Sequence, residues 1–263
     1  MPPTTSTSTE RLDSSRVRRP SYWNVAGVLA TLAVLAGVIA GVYAQAAGAT
    51  DSPPVARDRP EIVAEQPAAK TYRIAVIGDS TTSGSDFGGR GPQGWPELVW
   101  GDLRSQQLLV APDVSGRGGS GYVRRGLEAT VFPEEAARVI SPHDDLIVFF
   151  GSTNDGAESL DEVASAARSA YEEARRIAPQ AALLVIGPSW PRPDVPEQLL
   201  GIRNVLRDEA QRVGGTFVDP LSQGWFWDGP PELIGGDNVH PTDAGHVYLA
   251  QHIEPLIKQA LGI

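Results

Sequence analysis

Residues Leu146–Phe150 form an uninterrupted apolar run, and this run says most about the class of fold. A short segment without polar residues is typical of a strand that is buried on both faces of a parallel sheet. Helical patterns separate this run from the other strand-like segments, and such alternation predicts parallel strands with helices on both faces of the sheet. The predicted strands cover residues 72–77, 108–114, 146–150, 182–186 and 216–218.

The helices are predicted from apolar spacing and from capping residues. Ser159 and Glu162 stand in the positions of a capping box, and the apolar residues that follow them repeat at helical intervals. Further helices are predicted over residues 95–106, 196–213 and 242–261. Together with the strands, these helices define an α/β domain over residues 71–263.

The composition excludes several classes of site and partner. The 263-residue chain contains no cysteine, which excludes disulfides, thiolate metal sites and cysteine nucleophiles. The formal net charge is −10, and from residue 51 onward there are 30 acidic residues and 18 basic ones. Binding to nucleic acid requires clusters of lysine and arginine on the phosphates, so this acidic body predicts no nucleic-acid partner.

Three N-terminal segments precede the domain. Residues 1–22 are rich in Ser, Thr and Pro and are predicted to be disordered on the cytoplasmic side. Residues 23–46 are predicted to be a transmembrane helix or a signal sequence. Their central 20 residues lack charges and would span roughly 30 Å as a helix, the thickness of a hydrocarbon core. Residues 47–70 contain four prolines and predict an extended linker.

The charges around the apolar segment predict its orientation. Arg16, Arg18 and Arg19 precede it and the next basic residue is Arg57, so the positive-inside rule places the N-terminus in the cytoplasm. The sequence Ala44-Gln45-Ala46 has the form of a signal-peptidase site, and cleavage there would release a secreted domain. The apolar run is longer than an ordinary signal sequence, which favours a membrane-anchored protein with its domain outside the cytoplasmic membrane.

Four loops with reactive or polar residues are expected at one edge of the sheet, because ligands of open α/β sheets bind outside the carboxyl ends of the strands. Gly78-Asp79-Ser80 follows the first strand, and the glycine-rich segment 116–121 follows the second. Residues 151–155 follow the third strand, and residues 237–241 precede the last helix. The topology therefore predicts that a serine, an amide, an acid and a histidine meet at this edge.

These four loops, in this order, resemble the sequence blocks of the SGNH, or GDSL-type, hydrolase family over residues 71–263. The resemblance implies a catalytic triad of Ser80, Asp237 and His240, with Ser80 as the nucleophile. It also implies an oxyanion hole formed by Ser80, Gly119 and Asn154, and hydrolysis of an ester. The implied fold is a flavodoxin-like three-layer α/β/α sandwich with about five parallel strands in the order 2-1-3-4-5. The hydrolase domain is expected to be monomeric.

The chemistry of these residues supports the same site. A serine hydroxyl becomes an effective nucleophile when a histidine removes its proton, and a carboxylate holds that histidine in the required tautomer. Asp237 lies three residues before His240, so a local turn can bring the two side chains together. The charge that develops on the substrate requires N–H donors, and glycine at position 119 lets the backbone approach a ligand closely. This chemistry needs no metal, and no cofactor is predicted.

Two further motifs have other interpretations. Gly116, Gly118 and Gly121 match the dinucleotide-binding pattern GxGxxG, but no helical pattern follows them, so nucleotide binding is not predicted. Asp243 and His246 form a second Asp-x-x-His motif inside the last predicted helix. Residues three apart on a helix are ordinary surface neighbours, so His246 is predicted to make local hydrogen bonds and to take no part in catalysis.

The sequence says less about the identity of the substrate than about the type of reaction. Trp190, Trp225 and Trp227 lie in loops at the same edge and are candidate contacts to sugar rings or acyl groups, although packing of the loops explains them equally well. The predicted substrate is an acylated small molecule, lipid or carbohydrate of the cell envelope. The alternatives are an acyltransferase of the same fold that uses a sugar hydroxyl in place of water, and an inactive envelope-binding module.

Overall fold

Five parallel strands form the centre of the protein in a computed structural model that describes residues 69–227 and 229–263. The strands are β1 (Thr71–Gly78), β2 (Leu109–Gly116), β3 (Leu146–Phe150), β4 (Ala182–Ile186) and β5 (Thr216–Val218). The helices are α1 (Ser80–Ser83), α2 (Trp95–Ser105), α3 (Phe132–Val139), α4 (Leu160–Ile177), α5 (Glu197–Arg212) and α6 (Asp243–Leu261). Short 3-10 helices cover Gly91–Gln93, Asn154–Ala157 and Pro231–Leu233.

The strands are arranged in the order β2-β1-β3-β4-β5, and every neighbouring pair is parallel. This arrangement confirms the predicted fold class and the predicted 2-1-3-4-5 order. The order reverses between β1 and β3, so the loops after these two strands diverge to opposite faces of the sheet and leave a crevice at its carboxyl edge.

Both faces of the sheet are covered, which is why its central strands contain so few polar residues. Ala75, Ile147 and Phe149 are buried on the face covered by α3, α4 and α5. Ile74, Val148 and other residues of alternate parity are buried on the face covered by α2 and α6. Two apolar layers of this kind hold the carboxyl ends of the strands rigidly in place beneath the loops.

The capping box predicted for α4 is present at its N-terminus. The Ser159 hydroxyl accepts a hydrogen bond from the Glu162 backbone N–H at 3.2 Å and donates one to the Glu162 carboxylate at 2.8 Å. The helix that follows buries Val163, Ala167 and Ala170, as their spacing predicts. Local sequence signals therefore determine where this helix begins and which side of it faces the sheet.

Helix α3 is the main element that the sequence patterns did not indicate. It has only eight residues, contains Pro133 in its first turn, and buries Phe132, Ala136 and Val139. A proline is favourable at the start of a helix, but a stretch this short shows barely two turns of apolar spacing. Strand β2 also extends two residues beyond its predicted end, to Gly116.

The N-terminal predictions lie outside the described part of the chain. These are the disordered segment 1–22, the apolar segment 23–46 and the linker 47–70, apart from the last two residues of that linker. Within residues 69–227 and 229–263, none of the helices combines the length and the apolar character that crossing a membrane requires.

Candidate active site

Ser80 lies on a tight turn that leads directly from β1 into α1. The carboxylate of Asp79 accepts a hydrogen bond from the Thr81 backbone N–H at 2.8 Å and so caps α1. Gly78 packs so closely on Thr82 that a Cβ at position 78 would overlap the Thr82 side chain. The Gly-Asp-Ser sequence therefore forms this turn for steric and capping reasons, and the turn presents Ser80 at the first residue of α1.

Asp237 and His240 meet through the local turn that their spacing predicted. The Asp237 Oδ1 atom accepts hydrogen bonds from the backbone N–H groups of Val239 and His240, each at 3.0 Å. Asn238 between them has a φ of 59°, in the left-handed region that asparagine tolerates better than most residues. With Oδ1 held by the turn, Oδ2 lies 2.6 Å from His240 Nδ1.

The second nitrogen of the same imidazole reaches the serine. His240 Nε2 lies 3.0 Å from Ser80 Oγ, although the two residues are 160 positions apart in the chain. The carboxylate beside Nδ1 assigns the proton to that nitrogen, which leaves the lone pair of Nε2 to accept the hydrogen bond of the serine hydroxyl. The structure thus brings together the three residues that the sequence predicted as a triad.

The charge of Asp237 suits this arrangement. Burial raises the pKa of its carboxyl, but hydrogen bonds from the His240 side chain and from the His240 and Val239 backbone outweigh that effect. The pKa therefore lies below its usual range. A carboxylate that stays ionised holds the neighbouring imidazole in the tautomer described above, with Nε2 turned to the serine.

Gly119 and Asn154 lie on the same cleft as Ser80. Among the described residues, no hydrogen-bond acceptor is assigned to the backbone N–H of Ser80 or of Gly119. Gly119 has a φ of +73°, which only glycine adopts without strain. The Asn154 amide donates to the Ser120 carbonyl at 2.9 Å and to the Asp79 carboxylate at 3.2 Å. The three residues predicted to supply oxyanion donors therefore line one cleft.

Two buried acids support these loops. Burial raises the pKa of Asp79 to about 6, against the lowering effect of its hydrogen bonds with Thr81. Asp155 is fully buried and accepts hydrogen bonds from the backbone N–H groups of Tyr122, Val123 and Arg124, at 2.8 to 3.0 Å. Asp155 therefore ties the chain after Gly119 to the loop that carries Asn154.

A cleft of about 400 Å³ opens in front of Ser80. One of its walls is the segment 84–94, which we call the 84–94 loop, and another is the segment around Leu127. The ring of Phe87 stacks on the His240 imidazole, with 6.2 Å between ring centroids and 6° between the planes. Sequence reasoning missed Phe87 and Leu127, because nothing in their local patterns indicates that their loops fold over the carboxyl edge of the sheet.

The three predicted tryptophan contacts lie away from this cleft. Trp225 is buried, with only 2 % exposure, and packs against Phe150 and His252, so its prediction as a substrate contact is wrong. Trp190 is half-buried beneath the Arg192 guanidinium. Trp227 lines a separate cavity of about 250 Å³, which Asn238 also lines. Loop packing explains Trp225, and the roles of Trp190 and Trp227 stay predictions.

His246 also differs from its prediction. Its side chain is fully buried, and Nδ1 accepts a hydrogen bond from the Trp95 backbone N–H at 3.2 Å, across 151 positions of sequence. The surface position and the local hydrogen bonding predicted for it are therefore wrong. Within the described residues, His240 is the histidine whose side chain lies within hydrogen-bond distance of Ser80 Oγ. The prediction that His246 is not the catalytic base therefore agrees with this geometry.

Comparisons with known proteins agree with this geometry. The profile of the GDSL-like lipase/acylhydrolase family matches residues 76–248. The chain is similar to a GDSL lipase of Mycobacterium tuberculosis, at 46% identity over 202 residues that cover 74% of this chain and 87% of the relative. Ser80, Asp237 and His240 all lie inside the segment that the family profile matches.

Solved structures show the same fold at low sequence identity. The esterase EstA of Pseudoalteromonas sp. has a TM-score of 0.56 and 14% identity, covering 73% of this chain and 99% of its own. An acetyl xylan esterase of Geobacillus stearothermophilus has a TM-score of 0.55 and 21% identity, with 73% and 94% covered. The family profile and the curated relative, together with this fold, show that the chain belongs to the GDSL-like lipase/acylhydrolase family and is an SGNH-type esterase.

Proposed function

We propose that the protein hydrolyses acyl esters through a covalent acyl-enzyme on Ser80. The observation that carries this proposal is the continuous hydrogen-bonded line from Asp237 through His240 to the serine hydroxyl, with distances of 2.6 and 3.0 Å. A serine held this way has both a base for its proton and a carboxylate that stabilises the resulting imidazolium.

In the proposed reaction, His240 carries the proton between the serine, the leaving alcohol and water. Ser80 Oγ attacks the ester carbonyl carbon as its proton passes to His240 Nε2. The tetrahedral intermediate then collapses, the bond to the alcohol oxygen breaks, and the departing alcohol takes the proton from Nε2. Water next attacks the acyl-serine, gives its proton to Nε2, and the second collapse returns that proton to Ser80 Oγ and releases the acid.

The oxyanion is stabilised by the backbone N–H groups of Ser80 and Gly119 together with the Asn154 amide. The two backbone donors are free for this role within the described residues. The Asn154 amide exchanges the longer of its two hydrogen bonds, the 3.2 Å bond to Asp79, for one to the oxyanion. Donors that are fixed before the reaction stabilise charge as it develops, at little reorganisation cost.

Labelling with an organophosphonate ester tests the covalent step. The serine attacks phosphorus and expels the alkoxide or phenoxide, so mass spectrometry of the intact chain should show one adduct, and peptide mapping should place it on Ser80. Loss of esterase activity should parallel the labelling. Labelling of another residue, or hydrolysis that continues in fully labelled protein, would contradict the proposal.

The side chains around the cleft support an acyl group as the part of the substrate that binds there. Phe87, Leu127 and Val239 are exposed apolar residues, with exposures of 43%, 91% and 53%, and all three line this cleft. Exposed apolar side chains that surround a reactive group are typical of a binding site for apolar ligand surface. We propose that they bind the acyl chain of a lipid or of an acylated carbohydrate.

Leu127→Asn is expected to weaken hydrolysis of long-chain esters selectively. Burial of a leucine side chain contributes about 2 kcal/mol, and half of that burial against an octanoyl chain corresponds to about a fivefold rise in KM. Hydrolysis of p-nitrophenyl acetate should change little, because an acetyl group is too short to cover Leu127. Steady-state kinetics with p-nitrophenyl acetate and octanoate measure both.

Val247→Asn is the matched control for this change, since Val247 is an exposed apolar residue on α6 outside the cleft. It should leave the ratio of octanoate to acetate activity unchanged. An equal effect of Leu127→Asn on both esters, or a change in the ratio for Val247→Asn, would show that the rim does not contact the acyl chain.

We also propose that the apolar segment 23–46 holds the esterase at the cytoplasmic membrane. The uncharged length of this segment and the three arginines before it support this location. In fractionated cells, the full chain should sediment with membranes and resist extraction with alkaline carbonate, whereas residues 71–263 expressed alone should remain in the supernatant. Recovery of the uncleaved full chain in the supernatant would contradict the proposal.

A further inference from the structure

The second Asp-x-x-His motif, at the start of α6, has both of its side chains bonded to one segment of backbone. Asp243 Oδ1 accepts a hydrogen bond from the Gly89 N–H at 2.8 Å, and His246 Nδ1 accepts one from the Trp95 N–H at 3.2 Å. These two backbone groups bracket the second half of the 84–94 loop. The side chains of this motif therefore contact the 84–94 loop, which forms a wall of the cleft, and are not ordinary surface side chains of α6.

The loop is shaped to lie directly on this motif. A Cβ on Gly89 would overlap the His246 imidazole, and a Cβ on Gly88 would overlap the backbone of Thr242 and Asp243. Gly89 also has a φ of +75°, which favours glycine. Two consecutive glycines thus allow the backbone of the loop to approach the start of α6 more closely than any larger residues would permit.

His246 serves as a cap for another helix. Trp95 is the first residue of α2, and the N–H groups in the first turn of a helix have no partner within that helix. The N-cap residue Gly94 has no side chain to satisfy them, and the imidazole of His246 takes over this role for Trp95. Burial lowers the pKa of His246 to about 4, so the ring stays neutral near pH 7 and keeps its acceptor.

Packing of the core alone does not explain a histidine at position 246. His246 Nε2, which carries the proton when Nδ1 is the acceptor, is buried and has no hydrogen-bond partner among the described residues. A buried donor without a partner costs about 1–3 kcal/mol, a cost that an apolar side chain at 246 would avoid. The gain that offsets this cost is the hydrogen bond that fixes the end of the 84–94 loop.

The position of the loop matters for the reaction because the loop carries Phe87. The Phe87 ring stacks on the imidazole of His240 and packs against Gly235, where a Cβ would overlap the ring. Ser85, Asp86 and Arg90 of the same loop line the cleft. A shift of the loop therefore moves both a wall of the cleft and the ring that covers the base.

We propose that Asp243 and His246 are positioning residues that hold the 84–94 loop, and through it Phe87, against the catalytic histidine. The chain thus contains two Asp-x-x-His motifs with separate tasks. The first motif, Asp237 and His240, acts on the serine. The second motif fixes the wall beside the first one, and its effect on turnover rests on the esterase function proposed above.

Asp243→Ala tests the proposal without disturbing the core, because Asp243 is exposed. It should speed amide hydrogen exchange at Gly89 and lower kcat/KM for p-nitrophenyl octanoate about tenfold, since small misplacements of groups around a reaction are costly. Asp243→Asn retains an oxygen acceptor, and its kcat/KM should stay within about twofold of the wild type.

A double variant tests whether Asp243 acts through Phe87. In the Phe87→Ala background, Asp243→Ala should lower kcat/KM by less than about twofold, because the effects of residues that act through each other are not additive.

Ile257→Val is the matched control, because it removes a buried methylene group from the same helix eleven residues beyond His246. It should lower the melting temperature without changing Gly89 exchange or kcat/KM. Unchanged exchange at Gly89 in Asp243→Ala, unchanged kcat/KM, or equal losses with and without Phe87 would each overturn the proposal. A wild-type chain without esterase activity would defeat the proposed function instead, and exchange at Gly89 would still report whether Asp243 holds the loop.

Discussion

Ser80→Ala is expected to lower kcat for p-nitrophenyl ester hydrolysis by about 10⁴-fold or more, the size of effect that loss of a triad serine has in other hydrolases. The variant lacks the oxygen that forms the acyl-enzyme, and it should also lose the phosphonate adduct. KM should change little, because the Ser80 Oγ atom forms the bond to the acyl carbon and contributes little to substrate binding. Steady-state kinetics and mass spectrometry of residues 71–263 measure these effects.

Ser83→Ala is the matched control for this experiment. Ser83 lies on the same short helix, is exposed, and donates only to the neighbouring Gly84 carbonyl within the described residues. Its removal should leave kcat within about twofold, in line with the small effects of most surface substitutions. Wild-type turnover in Ser80→Ala would exclude Ser80 as the nucleophile.

His240→Ala is expected to have an effect of similar size. Without the imidazole, the proton of the Ser80 hydroxyl has no acceptor 3.0 Å away, and Asp237 loses the ring that it orients. The loss in kcat should again be about 10⁴-fold. Because the two residues act as one unit, the variant that lacks both Ser80 and His240 should be little slower than either single variant.

His143→Ala provides the control for a lost histidine. His143 is exposed and precedes β3, at the amino edge of the sheet and therefore opposite the cleft. Its removal should leave kcat unchanged within about twofold. If His143→Ala and His240→Ala reduced turnover equally, or if the Ser80 and His240 effects multiplied, the triad described above would be incorrect.

The centre of the fold was predictable because its signals are local and strong. Strands β3 and β4 begin and end where the apolar runs predicted, since residues buried on both faces leave a sharp boundary in the sequence. The end of β2 was less clear, because its exposed and half-buried residues give no such boundary. The short helix α3 has too few turns for its spacing to stand out.

The meeting of Ser80, Asp237 and His240 was predictable for a related reason. These residues lie in loops whose place at the carboxyl edge of the sheet follows from topology, and the turn that joins Asp237 to His240 is local. Their interpretation as a triad came from the resemblance to the GDSL-type family. By contrast, the locations of Phe87, Leu127 and His246 depend on how long loops pack against distant elements. Spacing on a helix placed His246 at the surface, but the close approach of Gly89 buries it. Tertiary packing of this kind leaves no periodic signal in the sequence.

The pairing of Ser80 with His240 joins the turn after the first strand of the domain to the loop before its last helix. The same two ends meet at Gly89 and Asp243, across 154 positions of sequence. Contacts between residues so far apart carry a large loop-closure entropy, and most of the chain has to be ordered before they form. Turnover therefore reports the completion of folding. A refolding chain can regain helical content early, and it gains esterase activity only when its two ends have closed on each other.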